Sequence, residues 1–234
     1  MSHHGFFMRL CLTLLFCIST AAVTFAEGED DGWIPLFNGK DLTGWYTYLD
    51  QDGRNNDPGQ VFTIEDGVIH VYKHAEDGAQ VPIGFIATET EYSHYHLRFQ
   101  YKWGSKRFGP RAQDKRDSGV MYHCVGPDGV LMKTWPRCLE CQVQEHDTGD
   151  LLCIAGTRCR TTIDPDPAEI LPRVYQGKYL PAQEGGQQIT NDRWIRRSHE
   201  RDELKQWNTV DLIVAGSDYA VHVVNGRANN RLTE

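Results

Sequence analysis

From His94 to Gly104 the chain reads as a strict alternation. Tyr95, Leu97, Phe99, Tyr101 and Trp103 take turns with His96, Arg98, Gln100 and Lys102. A period of two is that of a strand with one buried face. Wound into a helix, the same residues would scatter their apolar set around the whole cylinder. Related signals recur along the chain. "VFTIEDGVIHVYK" (61–73) reads as two short strands joined at Asp66-Gly67, a hairpin signal. "GFIATE", "SGVMYHCVG" (118–126) and "CLECQVQE" follow as further strands. "NTVDLIVAG" and "YAVHVVNG" are separated by a tight turn at Gly216-Ser217-Asp218. No window carries a helical period. Pro165, Pro167, Pro172 and Pro181 break up residues 161–193, which read as a long surface excursion. The expected class is all-β, a two-sheet sandwich.

Residues 1–26 stand apart from this pattern. A weakly basic start (His3, His4, Arg9) precedes an apolar run from Leu10 to Ile18, with Thr24 and Ala26 at cleavage-site positions. The run falls short of the roughly 20 residues that span a bilayer. It reads as a secretory signal, so the expected location is periplasmic or secreted, with no transmembrane anchor. Residues 27–234 then form one domain. Arg9 is the one Lys, Arg, Asp or Glu of the leader. The rest carries 23 cationic and 32 anionic side chains, a balance of −9. That balance and the lack of a basic stripe argue against nucleic acid as a partner. Cys124, Cys138, Cys141, Cys153 and Cys159 remain outside the leader. Export permits disulfides, with Cys153–Cys159 or a cross-strand pair as candidates. Zinc fits poorly, because Cys138 and Cys141 would face opposite sides of a strand.

The chemistry concentrates in "CLECQVQEHDTGD" (138–150). Alternation puts Glu140, Gln142 and Gln144 on one face and Leu139, Cys141 and Val143 on the other. Glu145 comes one residue late, and a bulge would return it to the polar face. On "SGVMYHCVG", Gly119, Met121 and His123 share a face. If the two strands are adjacent, Gly119 leaves room while His123 approaches the acids. Lys102 would extend the surface from the strand before. Outward sandwich faces are polar in any case. Acid, amide, imidazole and ammonium gathered on consecutive strands suggest a site instead.

Several motifs, in order, resemble those of the 3-keto-disaccharide hydrolase family, described as 3-keto-glucoside 1,2-lyases/3-keto-2-hydroxy-glucal hydratases. They are "GWIPLFNGKDLTGWYTYL" (32–49), "DGVIHV", "YHLRFQYKWG", "RDSGVMYH" with Asp117 in place of Asn, "LECQVQEHDTGD", "WNTVDLIVAG" and "HVVNGR". The resemblance covers nearly all of residues 27–234. It implies a concanavalin A-like jelly-roll sandwich with a sugar site on the concave sheet at Glu140 and Gln142. Members of the family are exported by bacteria that degrade glycosides. His123 stands where many relatives have Arg. Relatives continue past "NGRANNRLTE" with two more strands, so the expectation is a jelly roll lacking its last strands.

A 3-keto sugar has an acidic C2–H, so its glycosidic bond can break by elimination followed by hydration. That route needs a base, a donor for the enolate oxygen and an acid for the leaving group. Glu140 is the first candidate for acid/base work, and Glu145, with His146 and Asp147 beside it, for the second such group. His123 and Lys102 are candidates to stabilise the enolate oxygen. Gln142, Gln144 and Asp147 complete the substrate-binding set. No cofactor is named by the residues beyond a divalent cation such as calcium, which the carboxylates of 145–150 would suit. The order Glu140-x-Gln142-x-x-Glu145 is also similar to the Glu-x-Asp-x-x-Glu strand of retaining endo-glucanases, but the central amide cannot share a proton with its neighbours. The remaining alternative is a carbohydrate-binding module without catalysis, with Trp33, Trp45, Trp135, Trp194 and Trp207 as stacking platforms. The sequence leaves the oligomeric state open.

Overall fold

The computed structural model describes residues 32–165, 174–179, 187–191, 194–196 and 203–233. The expected leader, 1–26, lies outside them. The described residues contain strands and turns and no helix. In chain order the strands are β1 (Trp45–Leu49), β2 (Gly53–Arg54), β3 (Phe62–Glu65), β4 (Val68–Val71), β5 (Gly84–Thr88), β6 (His94–Tyr101), β7 (Asp117–Val125) and β8 (Arg137–Gln144). They continue as β9 (Leu151–Ile154), β10 (Cys159–Pro165), β11 (Val174–Tyr179), β12 (Gln187–Asn191), β13 (Trp194–Arg196), β14 (Asn208–Ala215), β15 (Tyr219–Val224) and β16 (Arg227–Thr233).

Eleven strands form one hydrogen-bonded series that folds into two layers. One layer runs β6-β14-β15-β16-β10, with β12 also on β10. The other runs β13-β9-β8-β7. β11 belongs to both. Its first half pairs with β13 at Val174↔Trp194, and its second half pairs with β10 at Lys178↔Asp164. This is the jelly-roll sandwich that the alternation implies. The Asp66-Gly67 hairpin is present, joining β3 to β4 with both turn residues at positive φ (51° and 74°).

The core lies between the layers. Tyr95, Leu97, Phe99 and Tyr101 of β6 turn inward as their alternation requires. They pack with Val210, Leu212, Val214, Ala220 and Leu232 of their own layer, against Tyr122, Leu139, Cys141, Leu151 and Ile195 of the other. Leu212 is fully buried, and Leu212→Ala would cost about 2–5 kcal/mol through lost burial and the cavity left behind. His222, also fully buried, ties the layers together. Its Nδ1 lies 3.0 Å from the Gly149 carbonyl and its Nε2 lies 2.8 Å from the Tyr122 hydroxyl. A carbonyl only accepts, so Nδ1 carries the proton and Nε2 accepts from Tyr122.

Two expectations change. Residues 161–193 are not simply a surface excursion, since β10, β11 and β12 all draw on them. The segments between the prolines are too short for their alternation to register, and Pro165 is tolerated as the last residue of β10. Strands β6 and β7, consecutive in sequence, are not neighbours. β6 pairs with β14, and residues 102–116 carry the chain across to the other layer.

Candidate active site

β7 and β8 are adjacent, with Asp117↔Gln144, Gly119↔Gln142 and Met121↔Glu140 opposite one another. Glu140 also faces Leu152 on β9, and Leu152 faces Trp194 on β13. Side chains paired in register point to the same side of a sheet. Met121, Glu140, Leu152 and Trp194 therefore form one row across four strands, on the face turned away from the core. Gly119, next to this row, is required by Glu140. A Cβ there would stand 2.6 Å from Glu140 Cδ and closer still to its Oε1.

The row explains the chemistry of Glu140. Among the described residues its carboxyl has no hydrogen-bond or ion-pair partner, and apolar Met121 and Leu152 flank it on either side. Burial pushes its pKa up to about 8, and the charge of Asp117 adds to the shift. Asp117 is itself ion-paired to Arg111. Gln142, beside Glu140, is buried, and its Oε1 accepts from the Val143 amide at 3.1 Å. Trp194 Nε1 donates to Asp150 Oδ2 at 2.9 Å, which orients the indole in the row.

The remaining acids of the stretch are committed elsewhere. Glu145 receives Arg116 at 2.6 Å and Arg107 at 2.9 Å, plus the Arg116 amide at 3.2 Å. Hydrogen bonds from Arg116 lead the causes that hold its carboxyl down at about 2. Asp147, buried, pairs with Lys115 at 2.7 Å. The His146 amide donates to Glu203 at 2.7 Å, and Glu203 also accepts from the Tyr101 hydroxyl and the Trp103 indole. The crossing segment 102–116 is thus a basic strap, and the acids at the end of β8 are its anchors. Lys106 and Arg107 continue the fastening onto residues 73–78.

The expected site residues divide accordingly. Glu140 and Gln142 lie side by side on the β8 face, with Gly119 giving the predicted room. Glu145, expected as the second acid/base group, is held as a carboxylate by two guanidinium groups. Asp147 is an ion-pair anchor. Gln144 is buried on the Glu140 face, and its backbone carbonyl receives the Asp147 amide. His123 does not continue the row. A bulge breaks the β7–β8 register between Tyr122 and Val125, and His123 sits in it at φ 52°, exposed. Lys102 lies at the end of β6 in the other layer, over the ring of Trp207 at 5.2 Å. The carboxylates of 145–150 do not fit calcium, since Glu145 and Asp147 are taken by cations. No group of three or more His, Cys, Asp or Glu among the described residues is placed to hold a metal ion.

Sequence reasoning missed Leu152 as a flank of Glu140 and had Trp194 only as one tryptophan of several. Strand order on the β9–β13 side has no local signal. The pairing of Arg116 with Glu145 did have one, in the run of cations facing a run of acids.

No curated protein is significantly similar to this chain. Residues 32–234 match the family described as the 3-keto-alpha-glucoside-1,2-lyase-like domain, and the chain belongs to that family.

Proposed function

We propose that the chain cleaves the glycosidic bond of 3-keto-glycosides by elimination and hydration, with Glu140 as its proton-transfer group. The observation that carries this reading is the Glu140 carboxyl, flanked by apolar side chains and shifted to about 8. A carboxyl poised near neutrality both gives and takes protons at the same pH. Family membership supplies the substrate class. In the reaction a base removes the C2 proton, the C1=C2 double bond forms, and the C1–O bond breaks as the leaving oxygen gains a proton. Water then returns hydroxyl to C1 and hydrogen to C2. Gln142 is suited to hold a hydroxyl or carbonyl of the sugar, and the Trp194 ring to stack against its face.

We place this activity outside the cytoplasm, on the leader-like residues 1–26. No helix among the described residues is long and apolar enough to cross a membrane. The test is turnover of a 3-keto-glucoside beside its unoxidised parent. Cleavage of the ketone alone is expected, because only the ketone acidifies C2–H. Equal rates on both would favour a retaining glycosidase. Binding without turnover would make the domain a carbohydrate-binding module.

A further inference from the structure

Four of the five cysteines outside the leader stand together in two pairs. Cys153 Sγ and Cys159 Sγ are 3.7 Å apart. The turn between them is held by Thr157, whose amide and hydroxyl both donate to the Ile154 carbonyl at 3.3 and 2.9 Å. Cys124 lies in the β7 bulge, and the register on either side of it, Tyr122↔Leu139 and Val125↔Arg137, sets Cys138 of β8 opposite the bulge. The fifth, Cys141, is fully buried in the core between the layers. An odd cysteine count thus resolves as two neighbouring couples and one sealed residue.

We infer that Cys124–Cys138 and Cys153–Cys159 are disulfide sites of the folded protein. A disulfide holds its sulfurs at about 2.05 Å, so the Cys153–Cys159 gap must close by roughly 1.6 Å, within the reach of side-chain rotation. Each bond forms as two thiols lose two protons and two electrons. The electrons pass by exchange to an oxidised dithiol or glutathione disulfide, which leaves as the reduced thiol. The two bonds do different work. Cys153 lies next to last in β9 of one layer and Cys159 opens β10 of the other, so their bond staples the two layers. Cys138 shares the face of Glu140, two residues along β8, so its bond to Cys124 pins the bulge and the strand that carries Glu140. This inference does not depend on the reaction proposed above.

The test is a thiol count. The full chain, produced for export and trapped with iodoacetamide in denaturant without reductant, is expected to be labelled at Cys141 alone among residues 27–234. It should weigh four hydrogens less than its reduced form. Peptide mapping should join Cys124 to Cys138 and Cys153 to Cys159. If the exported protein is not recovered, the folded, reduced chain incubated with glutathione disulfide is read in the same way. Reduction of the linked protein is expected to lower Tm by roughly 5–10 °C. Label on three or more of these cysteines after oxidation, or a crosslink between any other couple, overturns the inference.

Discussion

Glu140 and Glu145 lie five residues apart on one stretch of chain and meet opposite surroundings. Glu140 sits between Met121 and Leu152 over a glycine, and its carboxyl is pushed up to about 8. Glu145 lies at the end of the same strand under two arginines of the strap and is held down at about 2. One acid is half-buried among apolar neighbours without a counter-charge. The other has been given more positive charge than it carries. The first arrangement costs stability and leaves a proton that can move. The second stabilises the fold and fixes the proton count. Acid density in a sequence therefore says little about catalysis until the counter-charges are placed.

Removing the ionisable group from Glu140 is the hardest blow to this contrast. Glu140→Gln is expected to lower kcat on a 3-keto-glucoside by roughly 10²–10⁴. The same variant should melt above the parent at pH 8. A carboxyl with a raised pKa favours the fold less and less as pH rises from the unfolded value of ~4.3 through about 8, and an amide is spared that loss. Lower activity with lower Tm would instead make Glu140 a structural residue.

Glu145→Gln should do the reverse. It is expected to destabilise by about 1–3 kcal/mol, since Arg107 and Arg116 keep their charges and lose their anchor. The parent's Glu145 contribution is present above the unfolded carboxylate's pH of ~4.3 and is lost as pH falls through about 2, so the gap between the two proteins should shrink in acid. Thermal melts across that range measure it. Turnover per folded molecule should change by less than about tenfold, and a loss matching that of Glu140→Gln would return Glu145 to the reaction.

The smallest effect sharpens the Glu140 side alone. Asp117→Asn removes the negative charge that helps hold the Glu140 proton and leaves Arg111 in place. The alkaline limb of the kcat/KM profile, expected near pH 8 in the parent, should move to lower pH by less than about one unit. Movement to higher pH, or none, would remove Asp117 from the electrostatics of the site.

Much of this was legible along the chain. The β6 alternation predicted its buried face residue by residue. The space at Gly119 followed from two neighbouring patterns on the condition that their strands pair, and β7 and β8 do pair. The failures share a cause. Lys102 was placed beside Glu140 because its strand comes just before β7, but β6 pairs in the other layer. His123 was placed by counting twos through a bulge that breaks the count. Leu152 and Trp194 reach the Glu140 row through strand order, which leaves no mark within any single strand.

The sequence by itself determined the strands with a clear alternation, β6, β7, β8, β14 and β15 among them, the hairpin at Asp66-Gly67 and the shared face of Glu140 and Gln142. These depend on the period-two geometry of the backbone and on glycine's missing side chain, both local properties. Only the tertiary structure decided which acid kept its proton, which acids met the cations of the strap and which thiols came within reach of each other. Burial and Coulomb interactions act through space, and the residues that set them lie up to dozens of positions away along the chain.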